Sequence, residues 1–98
     1  MVDLGKLAGF EWDKWNIDKS YQKHGISPNE AEEPFLDKEL LLLEDIKHSQ
    51  KEERFILIGV SFKKIILCVS FTIRENKVRI ISARKANVKE RRRYAKKI

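Results

Sequence analysis

The sequence predicts an α+β domain: a short edge strand, two N-terminal helices, an antiparallel β-sheet meander of about four strands and a C-terminal basic helix. Three observations carry that expectation. Residues 54–62, 64–72 and 77–86 are runs rich in β-branched and other apolar side chains, separated by short turn signals. Ser27, Pro28 and Glu30 give an N-cap, a first-turn proline and a capping acid in the right order for a helix start. Asn87 with Glu90 three residues on repeats the capping spacing at the head of a basic segment. The 98 residues suffice for one modest core, so 1–98 reads as a single domain.

Taken in order, Phe10, Glu11 and Trp12 alternate apolar and polar before Asp13, which marks a short edge strand followed by a helix cap. Residues 14–24 are helix-compatible, with Ile17, Tyr21 and His24 on one face and Gly25 where a left-handed residue ends the helix. The second helix opens at Ser27 and bends or ends near Glu33, because Pro34 has no N–H to continue the ladder. Residues 38–45 hold four leucines bounded by charges. Length favours a strand of about six residues there, although periodicity alone does not separate it from a helical turn. A polar loop follows over 46–52. The next two strands meet at a tight turn at about Phe62 and Lys63, and Arg74, Glu75 and Asn76 turn into the last strand. This order places the helices on one face of the sheet.

Charge is segregated along the chain. Residues 77–98 carry ten Lys and Arg against a single acid, Glu90, so this stretch is net +9 in a chain of net +6, leaving −3 for residues 1–76. A strand feeding a basic helix presents a concentrated positive field suited to a polyphosphate backbone. The expectation is that these late cations converge on one pocket that holds a phosphodiester. The longest apolar runs, 40–43 and 65–69, are far shorter than a membrane span, and residues 1–9 lack the pattern of an export signal. With one cysteine, Cys68, and two histidines, the sequence has no disulfide framework and no zinc-ligand spacing. No metal or cofactor is expected, and a reducing cytoplasm is the default location.

Several strings match a known family. Phe10, Glu11, Trp12 and Asp13; Lys23, His24, Gly25 and Ile26, with Glu30 and Ala31; Glu53, Arg54 and Phe55; Ile58 and Gly59; and the run Arg79, Ile80, Ile81, Ser82, Ala83, Arg84, Lys85, Ala86, followed by Glu90, Arg91, Arg92 and Tyr94, resemble the BrnT family of type II toxins. The resemblance implies a RelE-like fold and a ribonuclease that stops translation by cleaving RNA. It further implies a BrnA-like antitoxin, a ribbon-helix-helix DNA-binding protein that forms a hetero-oligomer with the toxin. Three positions depart from the family pattern: Phe71 stands where relatives carry histidine or tyrosine, the turn near Lys63 lacks the common glycine, and Glu75 replaces another.

Metal-free RNA cleavage needs a base for the 2′-hydroxyl proton, a cation for the growing phosphate charge and a donor for the departing 5′-oxygen. Arg84, ending a strand beside the basic helix, has forked donors that match phosphate; its alternative is a solvated strand-end charge. Arg54 is the second candidate clamp, or else the partner of Glu52 or Glu53. His24 has the pKa range for proton transfer, but a helix C-terminus favours an imidazolium for structural reasons alone. Lys85 and Lys23 are electrostatic candidates, and Arg79, Arg91 and Arg92 candidate RNA contacts. Helical rotation of about 100° per residue keeps the helix cations from facing one ligand together. Tyr94 either stacks on a base or packs against the sheet. No residue is singled out as the general base. The competing reading is a non-catalytic basic module that binds RNA or DNA.

Overall fold

The computed structural model describes residues 9–12, 23–48 and 52–97. They form one five-stranded sheet of β1 (Phe10–Trp12), β2 (Leu41–Glu44), β3 (Arg54–Val60), β4 (Ile66–Arg74) and β5 (Lys77–Lys85), in the spatial order β1-β5-β4-β3-β2. The expected four-strand antiparallel meander is β2 to β5. The expectation fails in the sheet as a whole: β1 lies parallel to β5, with Phe10 opposite Val78 and Trp12 opposite Ile80, so the sheet has five strands and is mixed. No hairpin ties β1 to its partner, and a three-residue strand gives no sequence signal of direction.

Two helices are described, α1 (Pro28–Glu32) and α2 (Val88–Lys97). In the first, Ser27 Oγ accepts from the Glu30 N–H at 3.2 Å, the anticipated N-cap, and donates to the Glu30 carboxylate at 3.2 Å. Pro34 converts the next turn, Glu33–Leu36, to a 3-10 helix. Of the expected earlier helix, residues 14–22 lie outside the described residues; Lys23 and His24 are helical, and Gly25 follows at φ +69° as a left-handed terminator.

The helices sit on opposite faces of the sheet, not on one. On the first face Ile26, Ala31 and Phe35 pack with Phe55, Leu57, Leu67, Val69, Phe71, Val78, Ile80 and Ala83. On the second, Ala86 and Tyr94 pack with Leu41, Leu43, Ile56, Ile58, Ile66 and Cys68. Strand alternation explains the division, because adjacent positions such as Leu57 and Ile58 point to opposite sides. Phe10, Phe35, Phe71 and Phe55 form a chain of ring contacts with successive centroids 5.0, 5.1 and 5.4 Å apart. Phe71 is fully buried in that chain, so the family departure at this position falls in the core.

The alternation breaks once. Ser70 pairs with Ser82 but Phe71 with Ile80, leaving Ile81 as an extra residue in β5. Arg79 and Arg84 are five residues apart and would point to opposite sides of a regular strand; the bulge puts them on the same side, the second face.

Two tight places suggest measurable consequences. A Cβ on Gly59 would lie 2.9 Å from the Pro34 carbonyl oxygen and 3.0 Å from Pro34 Cβ. Gly59→Ala is therefore expected to lower stability by about 1–3 kcal/mol, read as a reduced urea midpoint at unchanged m-value. In the two-residue hairpin between β4 and β5, Glu75 and Asn76 both adopt positive φ, 50° and 64°. Glutamate is strained there, so Glu75→Gly is expected to raise stability by about 0.5–1 kcal/mol in the same titration.

Candidate active site

The second face divides into a covered half and an open half. Ala86 donates its N–H to Ile66 O at 2.9 Å, which starts α2 at the end of the sheet where β5 finishes and β4 begins. The helix then lies over Ile58, Cys68, Leu41 and Leu43. Beyond it the strand register lays out polar rows. Ile56, Ser70 and Ser82 form one, Arg54, Thr72, Arg79 and Glu11 the next, and Arg74 with Lys77 the last. Rows on one face are about 6.6 Å apart, from two residues of strand rise.

Glu52 closes this patch. Its carboxylate accepts from Arg74 Nε and NH2, each at 2.9 Å, in a forked pair. The hydrogen bonds from Arg74, aided by the Arg54 and Arg79 charges, hold the Glu52 carboxyl below its ordinary range. Glu52 is thus paired directly with Arg74 and lies in the weaker fields of Arg54 and Arg79, from the two flanking strands. Thr72 is buried beside them, donating its hydroxyl to the Glu53 carbonyl at 2.7 Å. A recess lined by Glu52, Glu53, Phe55, Thr72 and Ile73 opens at this end of the sheet, largely on the first-face side to which Phe55 and Ile73 belong.

A second cluster lies at the other end of the face. Glu90 accepts from the Asn87 N–H at 2.8 Å while Asn87 Oδ1 accepts from the Glu90 N–H at 2.8 Å, a complete capping box for α2. The same carboxylate takes both arms of Arg84, at 2.7 and 2.8 Å, and the Cys68 thiol at 3.4 Å. The Arg84 hydrogen bonds hold Glu90 down at about 2. Burial, reinforced by Glu90, pushes the Cys68 thiol up to about 12.

A family model described as "Ribonuclease toxin, BrnT, of type II toxin-antitoxin system" matches residues 12–90. The chain belongs to the BrnT family. Among solved structures, the ribonuclease toxin BrnT of Brucella abortus shares the fold, with a TM-score of 0.57 and 22% identity, covering 81% of this chain and 96% of that one. No curated protein matches the chain significantly. Membership of a family of type II ribonuclease toxins brings with it an RNA target and an antitoxin partner. Among the described residues, no helix is long and apolar enough to cross a membrane, and no three His, Cys, Asp or Glu side chains are grouped to hold a metal ion.

Within this BrnT chain the structure sorts the residues that the sequence singles out. Arg54 and Arg79 come together on the open half of the second face. Arg84 shares that face but lies five residues from Arg79, roughly 13–16 Å along the strand, with its fork held by Glu90. Lys85, opposite Leu67, belongs to the first face and is exposed. Lys23 and His24 precede Ile26, which enters the core of the first face, so their segment lies across the sheet from Arg54 and Arg79. Arg92 is exposed on α2, as is Arg91, whose NH1 donates to the Ala86 carbonyl at 2.8 Å. Tyr94 is buried on the second face, its hydroxyl donating to Asp37, and burial raises it to about 12. The late cations therefore do not all converge on one pocket. Arg74 and Glu52 join Arg54 and Arg79 unannounced by any motif; the hairpin at 75–76, which sets Arg74 opposite Lys77, is the signal from which their row follows.

The Glu90 cluster ties stability to pH. Its folded pKa is depressed, so its contribution is complete above the unfolded carboxylate value near 4.5 and is lost as pH falls towards about 2. Glu90→Gln is expected to cost about 1–3 kcal/mol at pH 7, and the gap between the two proteins' urea midpoints is expected to narrow steadily between pH 5 and pH 3.

Proposed function

We propose that this chain is a metal-independent endoribonuclease with RelE-like chemistry, which halts translation in the cytoplasm and is neutralised by a BrnA-like antitoxin covering its basic face. The observation that carries this reading is the row of Arg54, Thr72 and Arg79 on the half of the sheet that α2 leaves open, with Arg74 in the adjoining row. Arginines fixed on neighbouring strands cost little to order and offer forked donors to non-bridging phosphate oxygens, where negative charge grows during transfer.

In this reading Arg54 and Arg79 hold the scissile phosphate. Arg84 acts one step back, as a positioning residue that fixes α2 through Glu90. The exposed Arg91 and Arg92 provide a flanking field along the RNA, and Tyr94 anchors the helix that carries them. Lys23, His24 and Lys85, on the other side of the sheet, serve a second stretch of RNA or the antitoxin.

Purified protein should cleave single-stranded RNA in excess EDTA, and its induction without antitoxin should arrest growth. Arg54→Ala and Arg79→Ala should each lower cleavage at least about 100-fold with the fold retained, and each should flatten the salt dependence of RNA affinity by roughly one phosphate contact. RNA binding without cleavage by the wild-type chain would make it a binding module, and full cleavage by both variants would move the site elsewhere.

A further inference from the structure

RNA cleavage also needs a group that takes the proton from the attacking 2′-hydroxyl, a role that Arg54 and Arg79 do not fill. Ile26, two residues after His24, packs into the first-face core, across the sheet from the arginine rows. Among the acids of the second face, Glu90 is saturated by Arg84, the Asn87 N–H and the Cys68 thiol. Asp37 accepts from Tyr94, the Val60 N–H and the Glu39 N–H. Glu11 lies at one edge of the sheet, opposite Arg79, and Asp45, whose N–H donates to the Arg54 carbonyl at 2.8 Å, follows β2 at the other edge, where its charge reaches Cys68.

Glu52 differs from all of these. Its side chain is 35% exposed, so solvent and ligand reach it. Each oxygen accepts one hydrogen bond from Arg74, leaving further lone pairs on both. Its carboxylate lies in the fields of Arg54 and Arg79, the two groups assigned to the phosphate. Continuing the β3–β4 register by two residues from Arg54 and Thr72 places residue 52 opposite Arg74, on the same face and one row below. A phosphate seated on Arg54 and Arg79 therefore has Glu52 at its flank, oriented by Arg74.

We propose that Glu52 is the general base of RNA cleavage. This rests on the ribonuclease reading and adds to it the acceptor of the first proton. The 2′-hydroxyl gives its proton to the Glu52 carboxylate while its oxygen forms a bond to phosphorus. The bond from phosphorus to the 5′-oxygen breaks with its electron pair on that oxygen, which takes a proton from water. The products are a 2′,3′-cyclic phosphate and a 5′-hydroxyl, and Glu52 returns its proton to solvent. The neighbouring guanidiniums keep the carboxylate ionised in the free protein. An arriving phosphate competes for the same cations, so the carboxylate becomes a stronger base when substrate is present.

Three measurements on the full chain decide this: single-turnover cleavage of a short RNA in EDTA, affinity for the same oligonucleotide with a 2′-deoxy substitution at the cleaved position, and thermal unfolding. Glu52→Gln should cleave at least about 100-fold more slowly, with affinity within about threefold of wild type and its unfolding transition intact. Glu52→Ala should recover at least about tenfold when formate is added, because a free carboxylate can enter the vacated space and take the proton. Cleavage by Glu52→Gln within about threefold of wild type would overturn the assignment while leaving the nuclease reading standing. A rate loss matched by an equal affinity loss, or no recovery with formate, would also overturn it. Absence of cleavage by the wild-type chain would instead remove both.

Discussion

One extra residue sets the phase of β5 and, through it, the chemistry of each side of the sheet. Ile81 is the bulge between Ile80 and Ser82, and it lets Val78, Ile80 and Ala83 all enter the first-face core. In a regular strand Val78 and Ile80 would lie opposite Ala83, and either an apolar residue would be wetted or a charge buried. The bulge removes that conflict. It also aligns Arg79 and Arg84 on the second face, so both ends of that face depend on a backbone irregularity at one position.

The second face then depends on where α2 stops covering it. Glu90 fixes the start of the helix by closing the Asn87 capping box and holding Arg84, and Tyr94 fixes its far half through Asp37. Asp37 also accepts from the Val60 N–H, so the helix, the end of β3 and the loop before β2 share a carboxylate. These contacts pin the helix over the Ile58 and Cys68 end of the face. Among the described residues, the rows from Thr72 to Arg74 lie beyond those the helix packs against. Arg84, a candidate phosphate clamp in the sequence, here forms with Glu90 the bracket that seats the helix.

Local rules recovered most elements because local chemistry determines them. The N-cap at Ser27, the capping box of Asn87 and Glu90, the break at Pro34, the left-handed Gly25 and the hairpin at Glu75 and Asn76 are short-range arrangements written in neighbouring residues. Failures occur where the deciding contact is remote. The parallel pairing of β1 joins residues 10–12 to 78–80, and nothing near either segment encodes it. The placement of the helices on opposite faces follows from which alternate set of β3 residues each one covers. Arg84 drew attention as a strand-end cation, yet a carboxylate six residues later takes both arms of its fork. Arg74 drew none as a functional group, since a charge at a turn is ordinary until the register sets it beside Arg79.

The parallel edge strand bears on how the chain assembles during synthesis. β5 lies between β1 and β4 in the sheet although it comes last of the strands in sequence. Phe10, Glu11 and Trp12 are translated early, yet their partners Val78, Arg79 and Ile80 follow nearly seventy residues later. Arg79 is part of that same closing step. A nascent polypeptide therefore acquires the full arginine row only as its sheet is completed, so the finished surface appears only after β5 has been made.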